Sequence, residues 1–392
     1  MRDPLRVIVT ASMASTLANW QLGIVIPLLV LQQTHSAATA LLTFALRGAA
    51  YAISPLIGAV VDRFDQRTLF AVAQFQQAVC IALLALSPGG WVAGLLVLLS
   101  GAGAVATTIT SQFVLVPKFI DAAGRDTAVA RLMTALELTR VVGLLAGGAA
   151  ISWQGPTFSL LTVVALYVLA GLISLLLPRV VPDTPQGGLF AGLGIGFRWL
   201  ARRDILWLVI TMAAVNLSIG QLEAVLVTVF EDKGVPALVS SGLLAVGLAA
   251  SAAASALTPR LLPSWPAERR ILLSQLVVLG AMCLVATPYM ALTALGYVVL
   301  SFATGYNNVV SITYRHNLVP VEIAGRVNSV IRMIITGAVP LSGFLYAGAS
   351  GLDGFAFWVP ALVILTAAVA AWGVHSFRGV TTSESADHPA TP

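Results

Sequence analysis

The sequence predicts an all-α membrane protein with twelve transmembrane helices arranged in two pseudo-symmetric six-helix bundles. Three observations support this fold class: a very low content of charge, a series of long apolar stretches, and an internal repeat. Of the 392 residues, 58% are hydrophobic and only 9% are charged, whereas soluble domains carry about 25% charged residues. So few charges cannot cover a water-soluble surface of this size. The composition therefore excludes a soluble enzyme, a nucleic-acid-binding protein and a disordered protein.

Many apolar stretches reach the length of about 20 residues that a helix needs to cross the hydrocarbon core of a bilayer. The twelve predicted spans are residues 6–31, 39–61, 68–87, 91–116, 129–151, 158–178, 205–230, 238–262, 270–289, 291–314, 327–350 and 355–376. The first stretch is longer than the apolar region of a secretory signal peptide and has no cleavage pattern after it. We therefore expect it to stay in the mature protein.

The positive charges predict the orientation of the chain. With the N terminus inside, 17 of the 21 Lys and Arg residues fall in inner segments and only Lys233 falls in an outer loop; Arg47, Arg140 and Arg332 fall inside spans. Cytoplasmic loops of membrane proteins carry an excess of Lys and Arg. We therefore expect an inner-membrane protein with both termini in the cytoplasm. Anionic lipid headgroups are sufficient to balance the net charge of +5. The positive charge therefore does not imply a nucleic-acid partner.

A long polar segment divides the chain into two sets of six spans. It contains several Pro and Gly residues and ends in the amphipathic run Phe197–Arg203, which is typical of a short helix lying at the lipid interface. The predicted organisation is a first bundle at 1–178, a cytoplasmic linker at 179–204, a second bundle at 205–376, and a disordered cytoplasmic tail at 377–392.

The two halves carry matching segments. Ala123–Arg125 reads Ala-Gly-Arg and recurs as Ala324–Arg326, and a Leu-Val-Pro run precedes both copies. Arg131 recurs as Arg332 at the same offset of about 201 residues. Parallel repeats related by an axis along the membrane normal are a common transporter design. The repeat therefore favours a transporter built from two related bundles.

The segment between the second and third spans, Gly58–Arg67, reads GAVVDRFDQR. It resembles the signature loop of the major facilitator superfamily, G-x-x-x-D-R-x-x-x-R/K. In that family the loop acts as a latch that holds one conformation. The resemblance implies a latch formed by Gly58, Asp62, Arg63 and Arg67, with Asp62 accepting hydrogen bonds from a helix N terminus. The corresponding loop of the second half, which contains Arg260, has no acidic residue at the position equivalent to Asp62. We therefore expect the latch only in the first half.

Two further segments are similar to one branch of that superfamily, the drug and siderophore exporters related to the enterobactin exporter. They are GFRWLARRD at 196–204 and LVPVEIAGRVNSV at 318–330. The resemblance covers nearly the whole chain and implies the superfamily fold, alternating access and proton-driven efflux. Two features depart from it: Leu144 stands where many antiporters have Pro, and the fourth span lacks the arginine that some members use for proton coupling. Antiport is therefore a hypothesis.

Charged residues inside a span are functional candidates, because insertion scales place their cost at about 2.5–3.5 kcal/mol each. Of the 16 acidic residues, only Glu137 and Glu223 lie within spans, and we predict that they carry protons. Arg140 follows Glu137 by three residues on the same helical face, so a purely structural ion pair is the alternative. For Glu223 the alternative is a residue at the outer mouth.

Polar side chains on the first, fourth, seventh and tenth spans predict a substrate cavity, since these helices line the cavity in the superfamily. The candidate cavity residues are Asn19, Gln21, Arg47, Gln112, Asn216, Gln221, Tyr306, Asn307 and Asn308. A cavity that mixes amides with aromatic rings suits an amphipathic organic molecule. Hydrogen bonding between helices is the alternative for the amides. For Arg47, the alternatives are snorkelling outwards or pairing with an acid across the cavity.

No pattern in the chain points to an enzyme, a metal or a cofactor. The four histidines lack metal-ligand spacing, and there is no phosphate-binding loop. We expect no cofactor and no metal, a monomer in the lipid bilayer, and a small-molecule substrate together with protons as partners. Three functions stay open: proton-coupled efflux of a drug or siderophore, uptake of a metabolite or siderophore by symport, and a membrane sensor that does not transport.

Overall fold

The computed structural model describes residues 4–61, 63–86, 89–115, 119, 122–179, 193–319 and 321–384. Within these residues all regular structure is helical. The α-helices are α1 (Pro4–Thr34), α2 (Ala37–Ala49), α3 (Ser54–Val61), α4 (Gln66–Ala85), α5 (Gly90–Thr108), α6 (Ala122–Ser174), α7 (Leu193–Leu200), α8 (Arg203–Ile219), α9 (Leu222–Asp232), α10 (Ala237–Leu257), α11 (Ala267–Val285), α12 (Met290–Leu318), α13 (Val321–Ala349) and α14 (Val359–Glu384). Short 3₁₀ segments (Ala50–Ile53 and Gly354–Trp358) and a π-helical segment (Ile109–Leu115) complete the set.

Eight helices in the described part of the chain are long and apolar enough to cross a membrane. They establish a multi-pass membrane protein. One of them, Thr134–Ser174, has 41 residues, which at 1.5 Å per residue is about twice the thickness of the hydrocarbon core. This stretch covers both the fifth and the sixth predicted spans. The count of twelve spans in two six-helix bundles stays a prediction.

A glycine breaks the long helix α6. Gly155 has a φ of 83°, a left-handed value that only glycine adopts without strain. Pro156 follows, and its fixed φ and missing N–H suit the first turn of a new helix. The break therefore lies between the two predicted spans and separates α6 into two arms.

Several predicted spans are discontinuous helices. The second span passes through the 3₁₀ segment Ala50–Ile53, the fourth ends in the π-helical segment Ile109–Leu115, and the seventh is interrupted between Ile219 and Leu222. Irregular backbone at membrane depth is tolerated where it is buried in protein or lines a cavity. In transporters, such interruptions mark binding sites near the middle of the bilayer.

The C terminus of α9 is closed by a glycine turn. Gly234 has a φ of 70°, and its N–H donates to the Glu231 carbonyl at 2.8 Å while the Val235 N–H donates to the Phe230 carbonyl at 2.9 Å. These two bonds form a Schellman motif, which satisfies carbonyl groups that the helix end leaves open. The turn leads directly into α10.

The repeat found in the sequence also relates buried positions. Phe70 packs in one hydrophobic cluster with Val7 and Ala11. At the same offset of 201 residues, Ile271 packs in another cluster with Leu208 and Met212. The two halves therefore bury equivalent helix faces.

One turn after Phe70 and Ile271 lie Gln74 and Gln275, again at equivalent positions of the repeat. Both side chains are fully buried. In the described residues, neither the amide nitrogen nor the amide oxygen of either side chain has a hydrogen-bond partner. An amide buried in this way carries a desolvation cost that its surroundings do not offset.

The residues form two compact units that are not continuous in sequence. The first unit comprises Met1–Ala191, Gln221–Val246 and Val339–Ser350, and the second comprises Gly192–Gly220, Gly247–Ala338 and Gly351–Pro392. The predicted domains at 1–178 and 205–376 follow the halves of the sequence instead and stay a prediction. Of the predicted linker, α7 is described, whereas residues 180–192 lie outside the described residues. Helix α14 continues to Glu384, past the start of the predicted tail at residue 377.

Candidate functional site

Arg47 of α2 is held by polar groups from two other helices of the first unit. Its Nη2 atom donates to Asn19 Oδ1 on α1, and it lies 3.5 Å from the hydroxyl oxygen of Tyr167 on α6. Tyr167 is fully buried. The Asn19 amide nitrogen in turn donates to the Ser15 carbonyl at 2.9 Å. These contacts orient the guanidinium group among neutral oxygens.

The charge of Arg47 has no acidic counterpart among the described residues. The ion pairs found there join Glu137 to Arg140 and Asp204 to His375, so neither of them includes Arg47. Its Nε atom is also buried without a hydrogen-bond partner in the part of the chain that the structure describes. Because a charge within a span is costly unless it is paired, Arg47 is suited to bind a negatively charged group of a ligand.

Close helix packing determines the position of Arg47. A Cβ atom on Gly101 of α5 would collide with the carbonyl oxygen of Arg47, and it would lie 2.9 Å from the carbonyl carbon. Small residues let helices in a membrane approach to this extent. The backbone of α2 is therefore held against α5 at the residue that carries the charge.

Glu137 and Arg140 form an ion pair within α6. Arg140 Nη1 lies 2.6 Å from Glu137 Oε1, and the two side chains are 32% and 41% exposed, with Glu137 the more exposed. The guanidinium carbon of Arg140 lies 5.5 Å from the centroid of the Trp20 ring on α1, a distance at which a cation is attracted to the ring face. The pair is thus partly exposed and is bounded on one side by an aromatic ring.

Arg47 and Arg140 contact consecutive residues of α1. Arg47 contacts Asn19, and Arg140 contacts the next residue, Trp20. Gly143 places α6 against this segment, since a Cβ atom there would lie 2.9 Å from the Cβ atom of Trp20. Two guanidinium groups, one of them paired with the Glu137 carboxylate, therefore contact consecutive residues of α1.

Gln21 links α1 to the second arm of α6. The hydroxyl group of Thr162 donates to Gln21 Oε1 at 3.0 Å, and the Gln21 side chain is buried. A Cβ atom on Gly147 would lie 3.1 Å from the Gln21 Cα atom. The glycines of the Gly143–Gly148 run therefore serve helix packing, although the run lacks proline.

Gln221 lies at the break between α8 and α9. Its backbone N–H donates to Ser342 Oγ on α13 at 3.2 Å. A Cβ atom on Gly48, the neighbour of Arg47, would lie 3.7 Å from the Gln221 amide nitrogen and 3.4 Å from Cβ of Pro340. The broken helix therefore meets α2 beside the charged residue.

Glu223 occupies the first turn of α9. The N terminus of a helix carries a partial positive charge that stabilises a carboxylate within the first turn. The break thus places Glu223 at the N terminus of α9, and its predicted role in carrying protons stays a prediction.

Four of the predicted cavity residues, Asn216, Tyr306, Asn307 and Asn308, lie in the second unit. Asn307 accepts a hydrogen bond from Ser274 Oγ at 3.0 Å and donates to Met212 Sδ at 3.4 Å. Asn216 donates to the Ile335 carbonyl at 2.8 Å. These bonds join neighbouring helices, which is the alternative role that the sequence left open for the amides.

Two neighbours of Asn307 differ from each other in exposure. The Tyr306 hydroxyl group accepts a hydrogen bond from Arg270 Nε at 2.7 Å, and the ring belongs to a buried hydrophobic cluster. Asn308 is exposed. Its side chain therefore lies at the surface of the second unit, whereas Tyr306 and Asn307 are engaged in contacts within the protein.

The predicted latch is described only in part. Gly58 lies in α3, Arg63 is exposed in the following turn, and Arg67 lies in the first turn of α4. Asp62 and the side chain of Gln112 lie outside the described residues. The latch and the role of Gln112 therefore stay predictions.

Sequence reasoning did not identify three functional contributions in the first unit. Asp65 is the N-cap of α4, with Oδ2 accepting from the Thr68 N–H at 3.2 Å; an Asp directly before a helix is the signal for it. Tyr167 and Thr162 contact α1 and α2 from distant positions in the sequence, so no local sequence pattern reveals their roles.

In the described part of the chain, no group of three or more His, Cys, Asp or Glu residues is placed to hold a metal ion.

Comparisons with known proteins agree with the architecture. A model of the Major Facilitator Superfamily matches residues 8–343. No curated protein matches the chain at a significant level. The solved nucleoside transporter NupG superimposes with a TM-score of 0.77 at 15% identity, over 96% of this chain and 99% of that chain.

Two other solved structures are similar over nearly their whole length. An auto-inhibited peptide transporter of the POT family has a TM-score of 0.76 at 15% identity, over 96% of this chain and 97% of that chain. A bacterial homologue of the human lysosomal transporter Spinster has a TM-score of 0.71 at 15% identity, over 95% and 96%. At these identities the likeness concerns the fold.

Proposed function

The chain belongs to the Major Facilitator Superfamily, and on that premise we propose that it is a proton-coupled secondary transporter of a small amphipathic molecule in the inner membrane. The observation that carries this proposal is that Arg47 and the Arg140 of the Glu137–Arg140 ion pair contact consecutive residues of α1, Asn19 and Trp20. A proton carrier needs a carboxylate within a span, and a substrate site needs polar groups that protein contacts do not fully satisfy. Both are present in the first unit.

Protonation of Glu137 changes the charge of this site. With Glu137 ionised, Arg47, Arg140 and Glu137 together carry one positive charge. When Glu137 Oε1 takes up a proton, the carboxyl group becomes neutral, the ion pair with Arg140 is lost, and the three side chains carry two positive charges. Substrate affinity and proton binding are then coupled, and such coupling commonly amounts to 1–3 kcal/mol, or 5- to 150-fold in affinity.

Efflux is the direction that we propose first. Its support is the similarity of residues 196–204 and 318–330 to segments of drug and siderophore exporters. For antiport, proton and substrate must compete, so a cationic drug that binds ionised Glu137 and leaves when the carboxyl group is protonated fits this direction. Alternating access would follow from rocking of the two predicted bundles about the site.

Uptake by symport is a second candidate, and the charge of the site favours it for an anionic substrate. Protonation of Glu137 raises the positive charge near Arg47, so an anion binds more tightly when the proton is present. Proton and anion then move together in the same direction. The solved neighbours include nucleoside and peptide transporters, so the fold does not favour one substrate class.

The experiment that tests the proposal uses inside-out membrane vesicles with an imposed proton gradient. A panel of siderophores, drugs and dyes is tested for gradient-dependent accumulation with the wild type, Glu137→Gln and Asp353→Asn. Asp353 is an exposed acid at a loop and serves as the matched control. We expect accumulation with the wild type and Asp353→Asn, and none with Glu137→Gln.

The same assay contains the outcomes that overturn the proposal. Equal gradient-driven accumulation with Glu137→Gln and the wild type removes the proton-coupling role of Glu137. Accumulation only in right-side-out vesicles replaces efflux by uptake. Absence of gradient-dependent movement for every compound, with binding retained, favours a membrane sensor that does not transport.

A further inference from the structure

A cavity of about 300 Å³ lies in the second unit. It is lined by Arg203, Trp207, Ala370, Ala371, Val374 and His375. Arg203 begins α8, two residues before the seventh predicted span, and His375 is one residue before the end of the twelfth. The cavity therefore lies at the predicted membrane boundary, on the side that is rich in arginine.

The wall contributed by α14 is apolar. Val374 lies four positions after Ala370 and three after Ala371, spacings at which side chains share a helical face, and all three line the cavity. Ala370 and Val374 are exposed. A hydrocarbon chain that runs along α14 therefore finds small apolar side chains and no steric obstacle from large ones.

The opposite wall carries charge and aromatic rings. Arg203 is exposed at the N terminus of α8, where the helix dipole adds to its positive charge. Trp207 lies one turn further along α8, and its ring stacks on His375 with centroids 6.4 Å apart and an interplanar angle of 27°. Tryptophan is enriched at the level of lipid headgroups.

Asp204, which follows Arg203 in the sequence, is directed towards the histidine of the cavity. Asp204 Oδ1 lies 3.5 Å from His375 Nε2. The carboxylate contacts His375, and no ion pair between Asp204 and Arg203 is found among the described residues. Arg202, whose guanidinium carbon lies 3.9 Å from the centroid of the Trp199 ring, extends the basic surface towards α7.

We propose that this cavity binds one anionic phospholipid, with its phosphate at Arg203 and an acyl chain along Ala370, Ala371 and Val374. Basic pockets between helices at the arginine-rich face of a membrane protein recognise anionic headgroups. The apolar wall distinguishes a lipid from a free phosphate ion, which would use Arg203 but not α14. The site is separate from the proposed substrate site and does not depend on the transport proposal.

Lipid binding is tested on the full-length protein, purified in detergent and freed of lipid. Native mass spectrometry counts bound phosphatidylglycerol during a titration, and phosphatidylcholine is the neutral comparison. We expect one tightly bound phosphatidylglycerol per protein and an affinity at least fivefold weaker for phosphatidylcholine. Equal binding of the two lipids overturns the proposal.

Three variants locate the site. Arg203→Gln should weaken phosphatidylglycerol binding at least fivefold by removing the charge. Ala371→Leu should weaken it by filling the apolar wall while the charge stays. Arg269→Gln is the matched control, because Arg269 is exposed at the start of α11 and does not line the cavity. Wild-type affinity in both cavity variants, or equal loss in the control, contradicts the assignment.

Two further measurements keep the test decisive. Thermal unfolding without lipid establishes that each variant is folded, and a variant that unfolds early is replaced by Ala370→Leu on the same wall. Inorganic phosphate is added as a competitor. Displacement of phosphatidylglycerol by millimolar phosphate would mean that the cavity recognises the ion alone and would overturn the lipid assignment.

Discussion

Replacement of Gly101 by alanine tests the placement of Arg47 directly. The added methyl group of Gly101→Ala would overlap the carbonyl oxygen of Arg47 and lie 2.9 Å from its carbonyl carbon and 3.1 Å from its Cα atom. All three atoms belong to the backbone of α2, so no side-chain rotation relieves the contact. The helices α2 and α5 must therefore separate, and Arg47 must move with α2.

The magnitude follows from the kind of contact. Inserting a methyl group into a packed core costs about 1–3 kcal/mol, whereas the alanine gains about 0.5–1 kcal/mol from its higher helix propensity. We expect a net loss of about 1–2 kcal/mol in the free energy of unfolding. The matched control is Gly242→Ala in α10, where a Cβ atom meets nothing within 4 Å; this variant should equal the wild type or exceed it.

The assay is thermal unfolding of the purified protein in detergent, followed by transport in proteoliposomes. Gly101→Ala should unfold at a lower temperature and transport more slowly, because the contacts of Arg47 with Asn19 and Tyr167 are disturbed. If Gly101→Ala and Gly242→Ala both unfold at or above the wild-type temperature, the close approach of α2 to α5 is refuted.

Three further predictions concern other parts of the molecule. For the anionic substrate of the uptake candidate, Arg47→Gln should lower the affinity at least tenfold while leaving the protein folded, as measured by binding titration; unchanged affinity for such an anion would exclude contact between Arg47 and the substrate's charge. Gln74→Leu and Gln275→Leu should leave the unfolding temperature unchanged or raise it, because each removes an amide without a partner; a marked decrease would mean that the amides are satisfied. Gly234→Ala should destabilise by about 1–2 kcal/mol, because its φ of 70° is unfavourable for alanine; wild-type thermal stability would contradict the turn geometry.

Local sequence patterns predicted much of the helical architecture. The third predicted span, 68–87, corresponds to α4 at Gln66–Ala85, and the seventh, 205–230, corresponds to α8 and α9 together. Apolar length alone identifies such segments. The break at Gln221 was not predicted, because a glycine in an apolar run is compatible with a continuous transmembrane helix.

The candidate site was predictable to the extent that its contacts are local. Glu137 and Arg140 are three residues apart, and helical geometry alone brings them together. Tyr167 lies 120 residues from Arg47 in the chain, so only the packing of helices reveals their contact. Asn216 and Asn307 were grouped as cavity residues by composition, and their engagement with neighbouring helices depends on orientations that composition does not contain.

The most direct test of the central claim is the proton movement that accompanies transport. Proteoliposomes loaded with a pH-sensitive dye report this movement when a transported compound is added, and the fluxes of proton and compound are compared for the wild type and Glu137→Gln. The account predicts a fixed proton-to-substrate ratio for the wild type, and substrate movement without protons for Glu137→Gln. Proton movement of equal size in both proteins would contradict it.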